Sequence, residues 1–495
     1  MQPVAALPSD VPVVLFRQMK RRRHAQLGHA RILTCLVMAT FLPWRGYSSE
    51  HPNVLFILAD QWRAQALGHA GDPNVQTPNI DLLQRQGIRF INAVSAIPVC
   101  CPARASLMTG QRALTHGVFL NDVQLSPAAV TIAKVLGQAG YNTGYIGKWH
   151  LNGDGRSAFI PRERRQGFEY WKALECTHDY NQSFYYADGP EKRMWEGYDA
   201  VAQTRDAQQY LRDHTGNSKP FFLFLGWGPP HDPYQAAPQH YREKYKAERM
   251  KLRANVPAAI SDRARTALAG YYAHCSALDD CVGDLLQTLR ETGQAQNTLV
   301  VFTSDHGDLL GSHGGFNKQQ PYDESVRVPL LLSWPKAFGI RGRQLDAPIS
   351  SEDLMPTILG LCRLAIPPTV EGLDYSGYLR GGKDPSDGAA LIACIAPFGQ
   401  WDRGHGGKEY RGIRTRRYTY VRDRTGPWLL FDNRSDPYQM QNLVNHPRYA
   451  RLQGELEATL ARKLKNSGDE FLSAEAYIRK WGYSVDINGT IPYTP

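Results

Sequence analysis

Along this chain, short runs of consecutive apolar residues alternate with longer stretches of helical periodicity. Residues 54–59, the stretch around Tyr145 and Ile146, residues 221–227 and residues 299–303 are apolar at successive positions. Such runs predict strands buried on both faces, as in a parallel sheet. Residues 79–86 follow Thr77-Pro78 and stop at Gly87, so a helix start and a helix stop stand where a helix would need them. Residues 264–290 carry apolar side chains at helical spacing. Strand–helix alternation predicts an α/β fold with a central, mostly parallel sheet and helices on both of its faces. Beyond about residue 385 the texture changes. Residues 410–422 alternate in strand fashion, residues 428–432 predict another strand, and residues 449–464 an amphipathic helix. The expected organisation is a leader over 1–49, a main domain over 50–385 and a smaller C-terminal α+β subdomain over 386–495. Gly381-Gly382-Lys383-Asp384-Pro385 forms the boundary.

Composition narrows this picture only slightly. At 495 residues, 42% hydrophobic and 21% charged, the chain reads as globular, with no repeat or low-complexity tract. The net charge of +10 suggests acidic partners, yet much of it sits in the leader, where Arg17, the run Lys20–Arg23, Arg31 and Arg45 face Asp10 alone. The remainder is only mildly basic, so nucleic acid is not expected as a partner. Within the leader, the basic run is followed by a nearly apolar stretch over 32–42 and then by Ser48-Ser49, the layout of an export signal. The apolar stretch is short for a bilayer span, so a periplasmic or secreted protein without a membrane anchor is expected. Apart from Cys35 in that stretch, seven cysteines are dispersed along the chain. Cys275 and Cys281 share a predicted helix with about 9 Å of rise between them, too far for a bridge. The adjacent pair Cys100-Cys101 is the unusual feature.

Each predicted strand is followed by residues suited to chemistry: Asp60-Gln61 after the first, Gly147-Lys148-Trp149-His150 after the second, Pro230-His231 after the third, and Asp305-His306-Gly307 after the fourth. Ligands of open α/β sheets gather at the carboxyl ends of the strands, so four such ends predict one polar site built from distant segments. The densest local signal is Cys100-Cys101-Pro102-Ala103-Arg104 followed by Met108-Thr109-Gly110. Pro102 suits a first helical turn, which puts Cys100 at a helix N-terminus where backbone N–H groups favour an anion. The same placement lowers a thiol pKa, so an ordinary cysteine nucleophile is a rival reading.

The Cys-x-Pro-x-Arg pattern with its trailing Thr-Gly resembles the signature of the formylglycine-dependent (type I) sulfatases of the alkaline phosphatase superfamily. The resemblance runs from Pro52-Asn53-Val54 to the C-terminal unit. It implies an alkaline-phosphatase-like fold and hydrolysis of sulfate esters through a sulfo-enzyme intermediate, releasing inorganic sulfate. It also implies oxidation of Cys100 to formylglycine (3-oxoalanine) by a dedicated maturation enzyme, and one divalent metal, with Ca²⁺ preferred. By the same resemblance the metal is held by Asp60, Gln61, residue 100, Asp305 and His306, while Arg104, Lys148, His150, His231 and Lys318 surround the sulfate. Hard oxygen donors suit Ca²⁺. Gln61 and His306 stand where the best-known pattern has Asp and Asn, and the imidazole leaves Mg²⁺, Mn²⁺ or Zn²⁺ open.

In the implied mechanism one hydroxyl of the hydrated aldehyde attacks sulfur, His231 protonates the leaving alcohol, and His150 draws the proton that lets sulfate depart; the two histidine roles could be exchanged. The preferred substrate is a sulfated glycan, with the aromatic segment 180–186, Trp227, Trp401, Arg403, Lys408 and Arg411 as candidate sugar contacts. The alternatives are a phosphonate monoester or phosphodiester hydrolase of the same superfamily, a secreted zinc- or glycan-binding protein without turnover, and a cysteine-thiolate hydrolase.

Overall fold

The computed structural model describes residues 51–493. The basic and apolar leader, and with it the export reading, lies outside the described residues. The first predicted strand is β1, Asn53–Asp60. It is joined in the central sheet by β2 (Ile88–Phe90), β3 (Asn142–Lys148), β4 (Tyr170–Leu174), β5 (Phe221–Pro230), β6 (Thr298–Ser304), β7 (Leu330–Ser333) and β8 (Arg343–Leu345). The order across the sheet is β8-β2-β7-β6-β1-β5-β3-β4. Every pairing is parallel except the two made by β7. The mostly parallel α/β architecture expected from the apolar runs is what forms.

Those runs are continuous because the sheet is covered on both faces. Successive side chains of a strand point to opposite sides. Val54, Phe56 and Leu58 of β1 enter one core with Phe222, Phe224, Leu299, Val301, Leu330 and Leu332. Leu55, Ile57 and Ala59 enter the other with Leu223, Leu225, Val300, Phe302 and Leu331. Each fully buried side chain of this kind contributes roughly 1.5–3 kcal/mol. A polar residue inside β1 would therefore cost one core or the other.

The helix predicted over 79–86 is α1, Pro78–Gln86. The motif helix α2, Cys100–Thr109, packs on the first face through Ala105 and Met108. On the second face lie α3 (Asp199–Asp213) and the long α4 (Ser261–Glu291). Cys275 and Cys281 of α4 are unbridged, and all seven described cysteines are free and buried.

The C-terminal strands β9 (Ala389–Cys394), β10 (Tyr410–Thr415), β11 (Tyr418–Asp423) and β12 (Gly426–Asp432) form an antiparallel meander. The alternating run over 410–422 is thus a hairpin, broken at Arg416-Arg417, and not one strand. One face of this sheet packs on Leu456 and Leu460 of α5, Ala450–Asn466. The other face packs Ile392, Tyr410, Val421 and Phe431 with Val94 and Val326 of the main part. That contact matters for the site: Tyr410 donates its hydroxyl to the carbonyl of Gln319 at 2.8 Å, and Gln319 exchanges two side-chain bonds with the backbone of Phe398. The second sheet thereby clamps the loop that carries Lys318.

Candidate active site

Strands β6, β1, β5 and β3 are neighbours, so their carboxyl ends deliver Asp305, Asp60, His231 and Lys148 to one place. Local backbone geometry finishes the aiming. Gly147 adopts φ +106°, and a Cβ there would lie 2.1 Å from the carbonyl oxygen of Gly226. Only glycine lets β3 approach β5 so closely just before Lys148. Gln61 and His150 hold φ of 68° and 59°, left-handed conformations that non-glycine residues adopt at a cost and that gather at functional sites.

Helix α2 brings Cys100 into the same place. Val99 before it is extended and contributes no side-chain cap, and the helix ends at Gly110 with φ 65°. Because the Val99 side chain offers no oxygen, the free N–H groups of the first turn need other partners; that of Cys101 donates to Asn121 Oδ1 at 3.0 Å. Cys100 Sγ lies 3.1 Å from Lys318 Nζ, 3.2 Å from His306 Nε2 and 3.6 Å from Asp60 Oδ1.

Charges around the sulfur are dense and dry. Arg104 spans both carboxylates, Nε to Asp305 Oδ2 at 3.2 Å and Nη2 to Asp60 Oδ2 at 3.1 Å, while Nη1 donates to the carbonyl of Lys148 at 2.8 Å. Lys148 Nζ reaches Asp60 Oδ2 at 2.7 Å. Lys318 Nζ also donates to Gln61 Oε1 at 3.2 Å and to His231 Nε2 at 2.9 Å. Burial raises the Asp60 carboxyl, but the cations of Lys148 and Arg104 outweigh it and hold the pKa well below the usual range. For Asp305, burial and the neighbouring Asp60 prevail, and its carboxyl is pushed up to about 6. Burial also opposes ionisation of Cys100, yet Lys148, Lys318 and His306 bring that thiol well below its ordinary value. Burial and Lys318 depress His231 to about 3. His150 is raised, the thiols of Cys101 and Cys176 and the bond to Asp122 overcoming burial.

Asp60, residue 100, Asp305 and His306 each present a ligand atom within 4.8 Å of the others. Two further observations test whether this set fits a cation. The Nδ1 of His306 lies 2.9 Å from the carbonyl of Gly307; an N–H there leaves the Nε2 lone pair facing the cluster, as a metal-ligating histidine requires. Gln61 donates Nε2 to Asp308 Oδ2 at 2.7 Å, which turns its Oε1 inward. Two carboxylates, an inward amide oxygen and an inward imidazole nitrogen fit one divalent ion.

All ten residues singled out in the sequence are buried. Nine of them are joined in one network of contacts around residue 100. His150 stands at its margin, Nε2 on Asp122 Oδ1 at 3.2 Å and Nδ1 buried without a partner. The structure adds residues that the motifs did not flag. Asp308 orients Gln61 and also accepts the Tyr234 hydroxyl at 2.5 Å. Asp122 holds both His150 and Arg156. The ring of His178 stacks on His231 at 4.8 Å. Of these, Asp308 alone carried a signal, two positions beyond His306 in a segment already suspected. The proposed sugar contacts fare less well. Trp227 is fully buried, Arg411 is buried on Asp469, and Arg403 and Lys408 are committed to Glu409 and Asp423.

Comparison with known proteins agrees along nearly the whole described chain. The sulfatase family profile matches residues 52–364, and that of the N-sulphoglucosamine sulphohydrolase C-terminal region matches residues 311–466. An ulvan-active sulfatase of Formosa agariphila is 45% identical over 446 residues, covering 89% of this chain and 87% of its own. An endo-4-O-sulfatase of Bacteroides thetaiotaomicron is 30% identical, covering 80% and 88%. The crystal structure of yidJ from Bacteroides fragilis superposes with a TM-score of 0.78 at 32% identity, covering 86% of this chain and 98% of that one.

Proposed function

This chain belongs to the sulfatase family, and from that premise we propose that it cleaves sulfate esters of a sulfated polysaccharide, with residue 100 working as formylglycine beside one divalent cation, Ca²⁺ in the first instance. The ulvan-active and endo-4-O-acting relatives support the polymer class. The observation that carries the chemistry is the convergence of Asp60, residue 100, Asp305 and His306 within 4.8 Å of one another, ringed by Arg104, Lys148 and Lys318.

When both are in place, formylglycine supplies a hydrated aldehyde as acceptor for the sulfuryl group, and the cation supplies charge that draws the sulfate oxygens. The chain's own residues do the rest. Lys318, 3.1 Å from the sulfur of residue 100, and Lys148 are placed to neutralise charge spreading over the sulfate oxygens in a site with little water. Arg104 keeps Asp60 and Asp305 side by side, which without it would repel. His231 is neutral as it stands, and its Nε2 takes a hydrogen bond from the Lys318 ammonium at 2.9 Å. We assign this pair jointly as the source of the proton for the departing alcohol. His150, held by Asp122 and with an unpartnered Nδ1, is assigned the proton that must leave residue 100 when sulfate is released.

Cys100 is 1% exposed, so the oxidising enzyme has to act before the fold closes over it. The leader supports export to the periplasm or medium, where such a polymer is met. No described helix is long and apolar enough to cross a membrane. The test is a panel of initial rates on an aryl sulfate, an aryl phosphonate, a phosphodiester and ulvan oligosaccharides. Sulfate esters turned over at least a hundredfold faster than the phosphorus esters are expected; the reverse order would replace this reading with that of a phosphonate hydrolase.

A further inference from the structure

A second polar cavity of about 290 Å³ lies beyond the site just described, lined by Gln65, Asp72, Arg89, Lys251, Arg253, Tyr272, Arg327 and Tyr438 among others. Its charges do not balance. Arg253 is paired with Glu324 at 2.8 Å and Arg327 with Asp323 at 2.9 Å. Asp72 is spent on the N–H groups of Asn74 and Val75 and on the Tyr272 hydroxyl, which also accepts from Arg63. Among the described residues neither Arg89 nor Lys251 makes an ion pair within 4.0 Å, and Arg89 feels Asp81, itself bound to His69, only at longer range. Arg89 makes one long bond, 3.4 Å to the carbonyl of His69. Burial and the facing Arg327 pull its pKa down to about 10. Arg89 is thus held partly buried beside Arg327, whose own carboxylate, Asp323, does not reach it, and a bound anion would relieve that excess of positive charge. In the same wall, both side-chain polar atoms of Gln65 and Nε of Arg327 are buried without a hydrogen-bond partner, a cost that a ligand with several acceptor oxygens would remove in part.

Position gives the cavity a role. Arg89 lies on β2, opposite Leu331 of β7, and Ile88 and Phe90 on either side enter the core of the first face, so Arg89 projects from the other. Arg327 precedes the antiparallel β7 and so stands at the carboxyl-end edge of β1 and β6. Its carbonyl accepts from Ala64, four residues after Asp60. Three strand spacings separate β1 from β2, about 14 Å. Arg327 thus sets one wall of the cavity at the carboxyl-end edge of the sheet that also carries Asp60.

We propose that this cavity is a second anion site, in which Arg89, Arg327 and Lys251 hold a sulfate or carboxylate group of the same polysaccharide while another of its sulfates occupies the catalytic cluster. Arginine forks match such oxyanions in two-point geometry. The polymer part of the inference rests on the function proposed above; the anion site itself does not.

The first test soaks crystals of the full chain in sodium selenate, whose anomalous signal marks tetrahedral dianions. A peak between Arg89 and Arg327 is expected, and a peak at the catalytic cluster alone would overturn the site. The second test compares kcat/KM on the intact sulfated polysaccharide with kcat/KM on a small aryl sulfate, for wild type, Arg89→Gln and the exposed Lys251→Glu. The polymer-to-aryl ratio should fall about tenfold in Arg89→Gln and several-fold in Lys251→Glu. Because each ratio is internal, loss of folded protein does not mimic it. Ratios equal to wild type, with selenate bound, would mean an adventitious ion only and would overturn the role in polymer binding. A wild type inactive on every sulfate ester would instead sink the proposed function, leaving the selenate result to stand by itself.

Discussion

Two regions of the molecule are rich in ion pairs, and they use them differently. In the catalytic cluster Arg104, Lys148, Asp60 and Asp305 are at most 4% exposed. On the C-terminal sheet Arg411 and Arg414 are buried on Asp469 and Asp323, but the outer pairs Arg422–Glu457 and Lys408–Asp423 keep a third or more of at least one side chain in water. The surface pairs are screened and each is worth about 0–1 kcal/mol. The buried ones form a network in which removing one charge strands another away from solvent. That is poor economy for stability alone, and it makes sense where a site must meet an anionic sulfate ester, and the sulfate dianion it releases, with fixed charges already in place.

The contrast is broken most severely at residue 100. Cys100→Ala should lower kcat on an aryl sulfate by at least about a thousandfold while leaving the thermal transition within a few degrees of wild type, since a small side chain is lost from a helix that stays packed. Arg104→Met comes next. It leaves Asp60 and Asp305 unbridged, so a loss of about 3–5 kcal/mol in denaturant unfolding is expected together with a hundredfold or greater loss of rate. Treatment with a chelator should abolish turnover and lower the melting temperature, both restored by added Ca²⁺; full activity after metal analysis shows none bound would contradict the ligand set.

A smaller effect comes from Glu175, beside His150. Burial pushes its carboxyl up to about 7, against the pull of His150 and of the Asn152 and Gly153 N–H groups. The folded state therefore holds a proton that the unfolded chain releases near its ordinary carboxylate pKa. This contribution is complete below that value and is lost as pH rises through about 7. Between pH 6 and 8 wild type should lose about 1 kcal/mol that Glu175→Gln does not. On the far side of the comparison, Arg422→Ala should change stability by less than about 1 kcal/mol and leave kcat alone.

Much of this arrangement could be read before folding, for a physical reason. Parallel strands buried on both faces are written as unbroken apolar runs, and a polar residue just past each run falls at the functional edge. Asp60, Lys148, His231 and Asp305 were legible by that logic alone, and Cys100 with Arg104 by the motif. The strands β2, β7 and β8, three or four residues each, leave no periodic trace. Asp122 and Tyr234 act through contacts 28 and 74 residues away in sequence, which no local pattern encodes. Trp227 and Arg411 misled for the opposite reason: residue type suggested a sugar contact, whereas the fold uses both as interior packing. The hairpin over 410–423 was legible as strand but not as two, because its turn, Arg416-Arg417, has none of the glycine, proline or asparagine that usually marks one.

The central claim concerns a single side chain, so peptide mass spectrometry of residues around position 100, on active protein made together with a maturation enzyme, addresses it most directly. A peptide lighter than the thiol form, reactive toward a hydrazide and rising in step with specific activity, is the predicted result. Full activity in protein whose residue 100 is entirely unmodified cysteine would contradict the account.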